Sequence, residues 1–214
     1  MLTLFGSKGA GSCAVEAALQ IIGAKFRLVD AASWKAEPGL DELKHVNPLA
    51  QIPTLVLEDG RILTESAAIL IHLGFAFPES GLLPASAGQR AQAIRGLVFI
   101  AANCYAAIGI IDYPERFCDN PDEALRKRII DKTKLRLYEY WDMFADTFSA
   151  SDSSCPWLSG DKLGALDLLA AVVSRWSGSR AHLARSRPAF HALLARIESE
   201  PRVAPIFARH WPAA

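Results

Sequence analysis

Apolar residues recur at two different spacings along the chain, and the change of spacing divides it. Over the first third they come in short runs bounded by turn residues. Met1 to Phe5 is one such run and predicts a short buried strand. Gly6 to Gly11 holds three glycines and predicts a loop. Ser12 then begins a helix, Cys13 to Ile22, which Gly23 closes as a C′ residue. Phe26 to Val29 alternates and predicts a second strand. A loop through Trp34 and Lys35 leads to a short helix near Pro38 to His45. Thr54 to Leu57 and Arg61 to Leu63 are aliphatic and β-branched, with Asp59-Gly60 between them. That pattern predicts a hairpin closed by a type I′ turn. Ser66 opens the apolar run Ala67 to Leu73, its hydroxyl placed where a helix N-cap or first-turn residue belongs.

Gly74 to Gly88, with Pro78, Gly81 and Pro84, has the composition of a linker. Strand alternation ends there. One helix is expected from about Gln89 to Ile111, broken at Asp112-Tyr113-Pro114. A second is expected from about Pro121 to Phe148, with Leu125, Ile129, Leu135, Tyr138 and Trp141 at roughly helical spacing. A polar loop over Ser149 to Ser154, helices over Leu166 to Trp176 and Arg187 to Ile197, and a shorter C-terminal piece complete the chain. A helix between the first two strands requires them to be parallel, with a right-handed crossover. The order βαβαββα is that of an α/β thioredoxin-like domain, here followed by an all-α domain. The expected division is 1–76, a linker 77–88, and 89–214.

Charge changes the picture by exclusion. The formal net charge is +0 over 214 residues, so there is no electrostatic footprint for nucleic acid and no basic run for a membrane surface. The longest apolar stretches are interrupted short of a membrane span, and Met1 to Phe5 lacks the charged start of a signal peptide. The four cysteines, at 13, 104, 118 and 155, form no close pair, and the five histidines show no ligand spacing. No metal is expected, the thiols are expected to be reduced, and the address is cytoplasmic.

Candidate chemistry gathers where the hairpin meets the helix at Ser66. Free N–H groups and the positive end of the helix dipole there favour a carboxylate. Pro53 opens a strand, a position where a missing N–H is tolerated. Ile52 before it is free to pair its backbone with an extended peptide. An ordinary edge hairpin capped by an ordinary helix would fit the same spacing. The run NPLAQIPTLVLEDGRILTESAAILIHL, residues 47–73, resembles the glutathione-site segment of soluble glutathione S-transferases. The resemblance is strong over the first third of the chain and weaker beyond. It implies that Ile52-Pro53 is cis and that Ile52 pairs with the cysteinyl unit of glutathione. It further implies that Glu65 and Ser66 hold the γ-glutamyl ammonium and carboxylate. Glutathione is then a co-substrate, a small hydrophobic electrophile the second substrate, and a homodimer the assembly.

A transferase of this kind must present glutathione as a thiolate, which is the nucleophilic form. Ser7, Ser12 and Cys13 lie near the first helix start, and no tyrosine does. Ser12 is the candidate catalytic residue, as an N-cap whose hydroxyl faces the ligand. Cys13 supplies the rival reading, a thiol reductase or lyase working through a mixed disulfide. Aligned on Ala17-Ala18-Leu19, however, the cysteine of such classes falls nearer Gly11 or Ser12, which turns Cys13 towards the core. A third reading is a non-catalytic binding or dimerisation module. Lys35, Lys44 and Trp34 are weaker candidates for the glycyl carboxylate, and Tyr105 and Tyr113 for the electrophile pocket. The family also carries a Ser/Thr-x-x-Asp capping box in its second domain. Here Asp167 holds the N3 place, but Gly164 stands where the hydroxyl residue belongs.

Overall fold

The computed structural model describes residues 1–149 and 155–212. Its N-terminal part is a four-stranded sheet of order β2-β1-β3-β4. β1 (Leu2–Gly6) and β2 (Phe26–Asp30) run parallel across α1 (Ser12–Ile21). β3 (Thr54–Val56) runs antiparallel to β1, and β4 (Ile62–Leu63) antiparallel to β3. The register sets Leu4 between Leu28 and Leu55. α2 (Leu40–Val46) buries Leu43 with Phe5 and Ala31 in a small separate cluster. α3 (Ser66–Ala76) packs beside α1. The predicted βαβαββα order is the observed one.

Turn chemistry explains two of the boundaries. α1 ends in a Schellman motif: Gly23, at φ +68°, donates to Gln20 C=O and Ala24 donates to Leu19 C=O. The hairpin differs from the type I′ expectation. Only Gly60 has positive φ; Gly60 N–H donates to Leu57 C=O, and Leu57 N–H to Arg61 C=O. This is a three-residue loop, a turn over Glu58-Asp59 followed by a left-handed glycine bulge.

The rest of the chain is helical. α4 (Ala87–Phe99) and α5 (Ala106–Asp112) form one rod joined by a π-helical stretch, Ile100–Tyr105. α6 (Glu123–Phe148) starts at Asp122, whose carboxylate accepts from Leu125 N–H at 2.7 Å. α7 (Ala165–Val173) is buried along its whole length and packs against α1, α3 and α4. α8 (Ser179–Ser186), α9 (Pro188–Glu198) and α10 (Ala204–His210) follow. α8 is absent from the sequence prediction because SRAHLARS offers one apolar anchor, Leu183, and no stripe. The polar loop expected over Ser149–Ser154 lies, after Ser149, outside the described residues.

Packing and composition add to two of the sequence readings. Leu82 and Leu83, in the expected linker, are buried, and Leu82 C=O accepts from Ala165 N–H at 2.8 Å. The rod Ala87–Asp112 is, by length and composition, apolar enough to cross a membrane, contrary to the reading of short apolar runs. Its apolar residues Leu97, Ile100, Ile108 and Ile111 are buried against the neighbouring helices.

Asp167 is fully buried and accepts from the N–H groups of Leu158, Ser159 and Gly164 at 2.8, 3.1 and 3.0 Å. Burial holds its carboxyl above the usual carboxylate range, and these N–H groups offset only part of the rise. The missing hydroxyl at Gly164 has a steric cause. A Cβ there would stand 2.6 Å from Ser159 Oγ and 2.8 Å from Leu82 C=O. Only the Asp167 half of the capping box fits.

Candidate active site

The loop before β3 is shaped by Asn47, which is buried. Its Nδ2 donates to Gln51 C=O at 3.1 Å and to Thr54 Oγ1 at 3.0 Å, and its Oδ1 accepts from Leu49 N–H at 3.1 Å. One amide thereby fixes both ends of the loop, and Thr54 adds a bond to Gln51 C=O at 2.8 Å. Ile52-Pro53 emerges from this loop as a cis peptide. β3 begins only at Thr54, and among the described residues Ile52 has no backbone partner. Its main chain is open to an extended ligand.

Glu65 stands at the N-cap of α3 with φ +63° and ψ +109°, a backbone state that a side chain bearing a Cβ rarely adopts. The conformation sets Glu65 and Ser66 side by side at the mouth of a cavity of ≈ 820 Å³. Ile52 and Pro53 line the same cavity, as do Gly9, Ala10 and Gly11, and a Cβ on Gly11 would lie 3.8 Å from Pro53 Cδ. Among the described residues neither the Gly11 nor the Ser12 N–H has a backbone acceptor, as befits a helix start. The helical part closes the cavity with Tyr105, Ile108, Gly109 and Trp176. Four of the sequence-derived residues, Ile52, Pro53, Glu65 and Ser66, are thus brought together.

The expected placement of Ser12 needs correction. The N-cap is Gly11, and Ser12 is the first helical residue, fully buried. Its hydroxyl is turned into the Gly6–Gly11 loop, where it accepts from Ser7 N–H at 3.1 Å and donates to Ser7 C=O at 3.3 Å. Gly6 makes the fit possible, since a Cβ there would lie 2.6 Å from Ser12 Oγ. Ser12 Oγ therefore braces the loop rather than facing the cavity.

The chain and its fold are similar to known proteins. Residues 1–74 match the family described as "Glutathione S-transferase, N-terminal domain". The uncharacterized GST-like protein YncG of Escherichia coli K12 is 31% identical over 177 residues, covering 82% of each chain. The glutathione S-transferase GstA of E. coli O157:H7 is 32% identical over 146 residues, 65% of this chain and 72% of that one. The chain belongs to the soluble glutathione S-transferase family. Its fold matches a glutathione transferase homologue from Sulfitobacter with bound glutathione at TM-score 0.82, 22% identity and 96% coverage of both chains. A glutathione transferase from Methylococcus capsulatus matches at TM-score 0.73 and 26% identity, covering 98% of both chains.

Within this glutathione transferase, the other thiol-site candidates separate cleanly. Cys13 is fully buried among α1 core residues, and burial pushes its thiol up to about 12. It is a small core hydrophobe, which disfavours a mixed-disulfide mechanism. Tyr105 is placed differently. A Cβ on Gly11 would overlap the Tyr105 hydroxyl oxygen, so the phenol reaches the start of α1 in the space a side chain at 11 would need. Trp176 holds the ring at a centroid distance of 5.6 Å. Burial, with the Glu65 carboxylate nearby, pushes the phenol up, so it remains a donor. Sequence reasoning noticed Tyr105 only as a pocket residue; nothing local marks the π turn that aims it. Trp34 lines the cavity, while Lys35 Nζ is spent on Ser7 Oγ and Lys8 C=O, both at 3.0 Å. Among the described residues no group of acidic, histidine and cysteine side chains is arranged to hold a metal.

Proposed function

We propose that this glutathione transferase seats glutathione along the wall formed by Ile52-Pro53 and Glu65-Ser66, with the sulfur at the start of α1. The observation that carries the reading is that Ile52, Pro53, Glu65, Ser66, Gly11 and Tyr105 line one cavity, at the residue where α1, with its unpaired N–H groups, begins. The Ile52 backbone pairs with the cysteinyl unit. Ser66 and the α3 N-terminus take the γ-glutamyl carboxylate, and Glu65 takes its ammonium. Lowering a thiol from about 8.5 by one to two units requires about 1.4 to 2.7 kcal/mol. Two N–H groups, a helix terminus and one hydroxyl are sufficient for that. Ser12 takes part through its N–H, and its hydroxyl keeps the loop in place. The thiol proton is lost to water; Tyr105 keeps its own proton and donates to sulfur.

The electrophile occupies the helical side of the cavity. Ala101, Ile108 and Gly109 give it apolar contacts, and Asp112, Tyr113 and Arg116 form a polar rim. We further propose a homodimer built on the neighbouring helices α3, α4 and α6, where Phe75, Val98 and Met143 are more than half exposed. Four free cysteines and a glutathione-dependent reaction suit the reducing cytoplasm. The proposed division remains 1–76 and 89–214, with 77–88 connecting them.

Calorimetric titration tests the site. Glu65→Ala combined with Ser66→Ala should weaken glutathione binding by about 2 kcal/mol or more, because charge-assisted hydrogen bonds are lost. Equal affinities for wild type and double variant would remove the assignment.

A further inference from the structure

The start of α1 is held from the far end of the chain. His210, the last residue of α10, is buried, and both of its ring nitrogens are engaged. Gly9 N–H donates to Nδ1 at 3.1 Å, which places the ring proton on Nε2. That Nε2–H donates to Glu16 Oε2 at 3.0 Å. Glu16 is 2% exposed in the middle of α1, and the guanidinium of Arg209 pairs with its other oxygen. Gly9 sits in the loop before α1 with φ +74°, so its backbone is free to turn its N–H towards the imidazole. One side chain therefore bridges two points on either side of the helix start, one on the loop and one on the helix body. Between those points lie Gly11 and Ser12.

We propose that His210 is a positioning residue of the thiol site, bracing Gly9 against Glu16 so that the Gly11 and Ser12 N–H groups point at the glutathione sulfur. The inference rests on the reading that the sulfur sits at the α1 N-terminus. Its physical basis is that N–H groups stabilise an anion in proportion to how well they are pre-aimed. The loop Ser7–Gly11, with glycine at 9 and 11, is not pre-aimed by its own sequence. Ser12 Oγ ties the loop at Ser7, and His210 ties it at Gly9. The side chains of the site anchor the ligand's γ-glutamyl end 54 residues or more along the chain from this loop. Loss of His210 is therefore felt at the sulfur and not at the anchor. Burial and the Arg209 charge hold His210 down to about 4, which keeps Nδ1 an acceptor at neutral pH.

Three substitutions in the full-length protein separate the bond to Gly9 from simple packing. His210→Phe keeps an aromatic ring and loses both bonds. His210→Gln reaches towards Glu16 and withdraws the acceptor from Gly9, whereas His210→Asn keeps an acceptor near the Nδ1 place. The readout is the ultraviolet thiolate absorbance of bound glutathione titrated against pH, with calorimetric affinity and melting temperature alongside. Phe and Gln variants should raise the bound-thiol pKa by about one unit, a loss of thiolate that approaches tenfold below the wild-type pKa of the bound thiol. Glutathione affinity measured for the protonated thiol should change less than about threefold, and Asn should restore most of the pKa. If Phe does not fold, the contrast between Gln and Asn decides. A bound-thiol pKa unchanged in Gln, or equal in Gln and Asn, overturns the proposal. Wild-type protein that does not lower the thiol pKa at all instead overturns the underlying reading of the site.

Discussion

Tyr105→Phe removes one oxygen atom from the cavity and leaves the ring on Trp176. The oxygen is the one that approaches Gly11, where the sulfur of glutathione is proposed to sit. A hydrogen bond to a charged group contributes about 1.5–3 kcal/mol, which at 1.36 kcal/mol per unit is roughly one to two pKa units. The donor stabilises the thiolate, so its presence lowers the thiol pKa and its removal raises it. Below the wild-type pKa of the bound thiol the thiolate fraction falls ten- to a hundredfold. Above the variant's pKa both proteins hold full thiolate and the difference closes. Tyr105 does not confuse the profile by ionising, because burial and Glu65 keep its proton on into the alkaline range. The assay is kcat/KM for conjugation of an aryl halide across pH, with thiolate absorbance of the binary complex. Glutathione affinity for the neutral thiol should be unchanged, since Glu65 and Ser66 are untouched. An unshifted thiolate titration refutes the reasoning. A loss of rate equal at all pH values refutes it differently, by assigning Tyr105 to the electrophile.

Two further outcomes follow from side chains at the edge of the same site. Cys13→Ala should leave conjugation intact, and intact-mass measurement should show no glutathione adduct on Cys13 of the wild type. A thiol near 12 is about one part in 10⁵ thiolate at pH 7. Gly109→Leu should slow bulky electrophiles at least about tenfold, with glutathione affinity unchanged by titration. Gly109 lines the cavity and a Cβ there meets nothing within 4 Å, so the side chain grows into the cavity, and the higher helix propensity of Leu favours the fold.

The sequence was most legible where chemistry is local. Gly23 marks a helix end because only a left-handed residue completes the Schellman bonds, and the bonds are there. Asp59-Gly60 correctly marked a hairpin but not its type, since two residues cannot show that a third joins the loop. Ser12 was misread by a single position. A shift from N-cap to first helical residue rotates a side chain by roughly 100°, enough to turn a hydroxyl from the cavity to Ser7. Asn47 was visible as a pattern residue, yet its three bonds to the loop it anchors could not be read from spacing. α8 was missed because packing against α6 and α9, rather than an apolar stripe of its own, holds it.

The largest illegible features are contacts between distant segments, and they fall on one side of the chemistry. Residues proposed to anchor glutathione, from Ile52 to Ser66, lie within one short stretch beside Asn47. Groups proposed to shape its sulfur environment converge on residues 9–12 from Tyr105, Trp176 and His210. Gly11 and Tyr105 are complementary: a side chain at 11 and a phenol from the rod cannot share that space. Had the chain placed a cysteine at 11, the nucleophile would have come from α1 itself and the rod would have had to withdraw. With glycine there, the proposed donor comes from the helical part, and the π stretch Ile100–Tyr105 ends on the residue it has to aim. On the proposed reading, the glutathione anchor and the side chains that shape its sulfur environment come from different parts of the molecule. Substitutions in the helical part can change the reaction while the glutathione wall stays the same, which is how a common N-terminal pattern supports different chemistries.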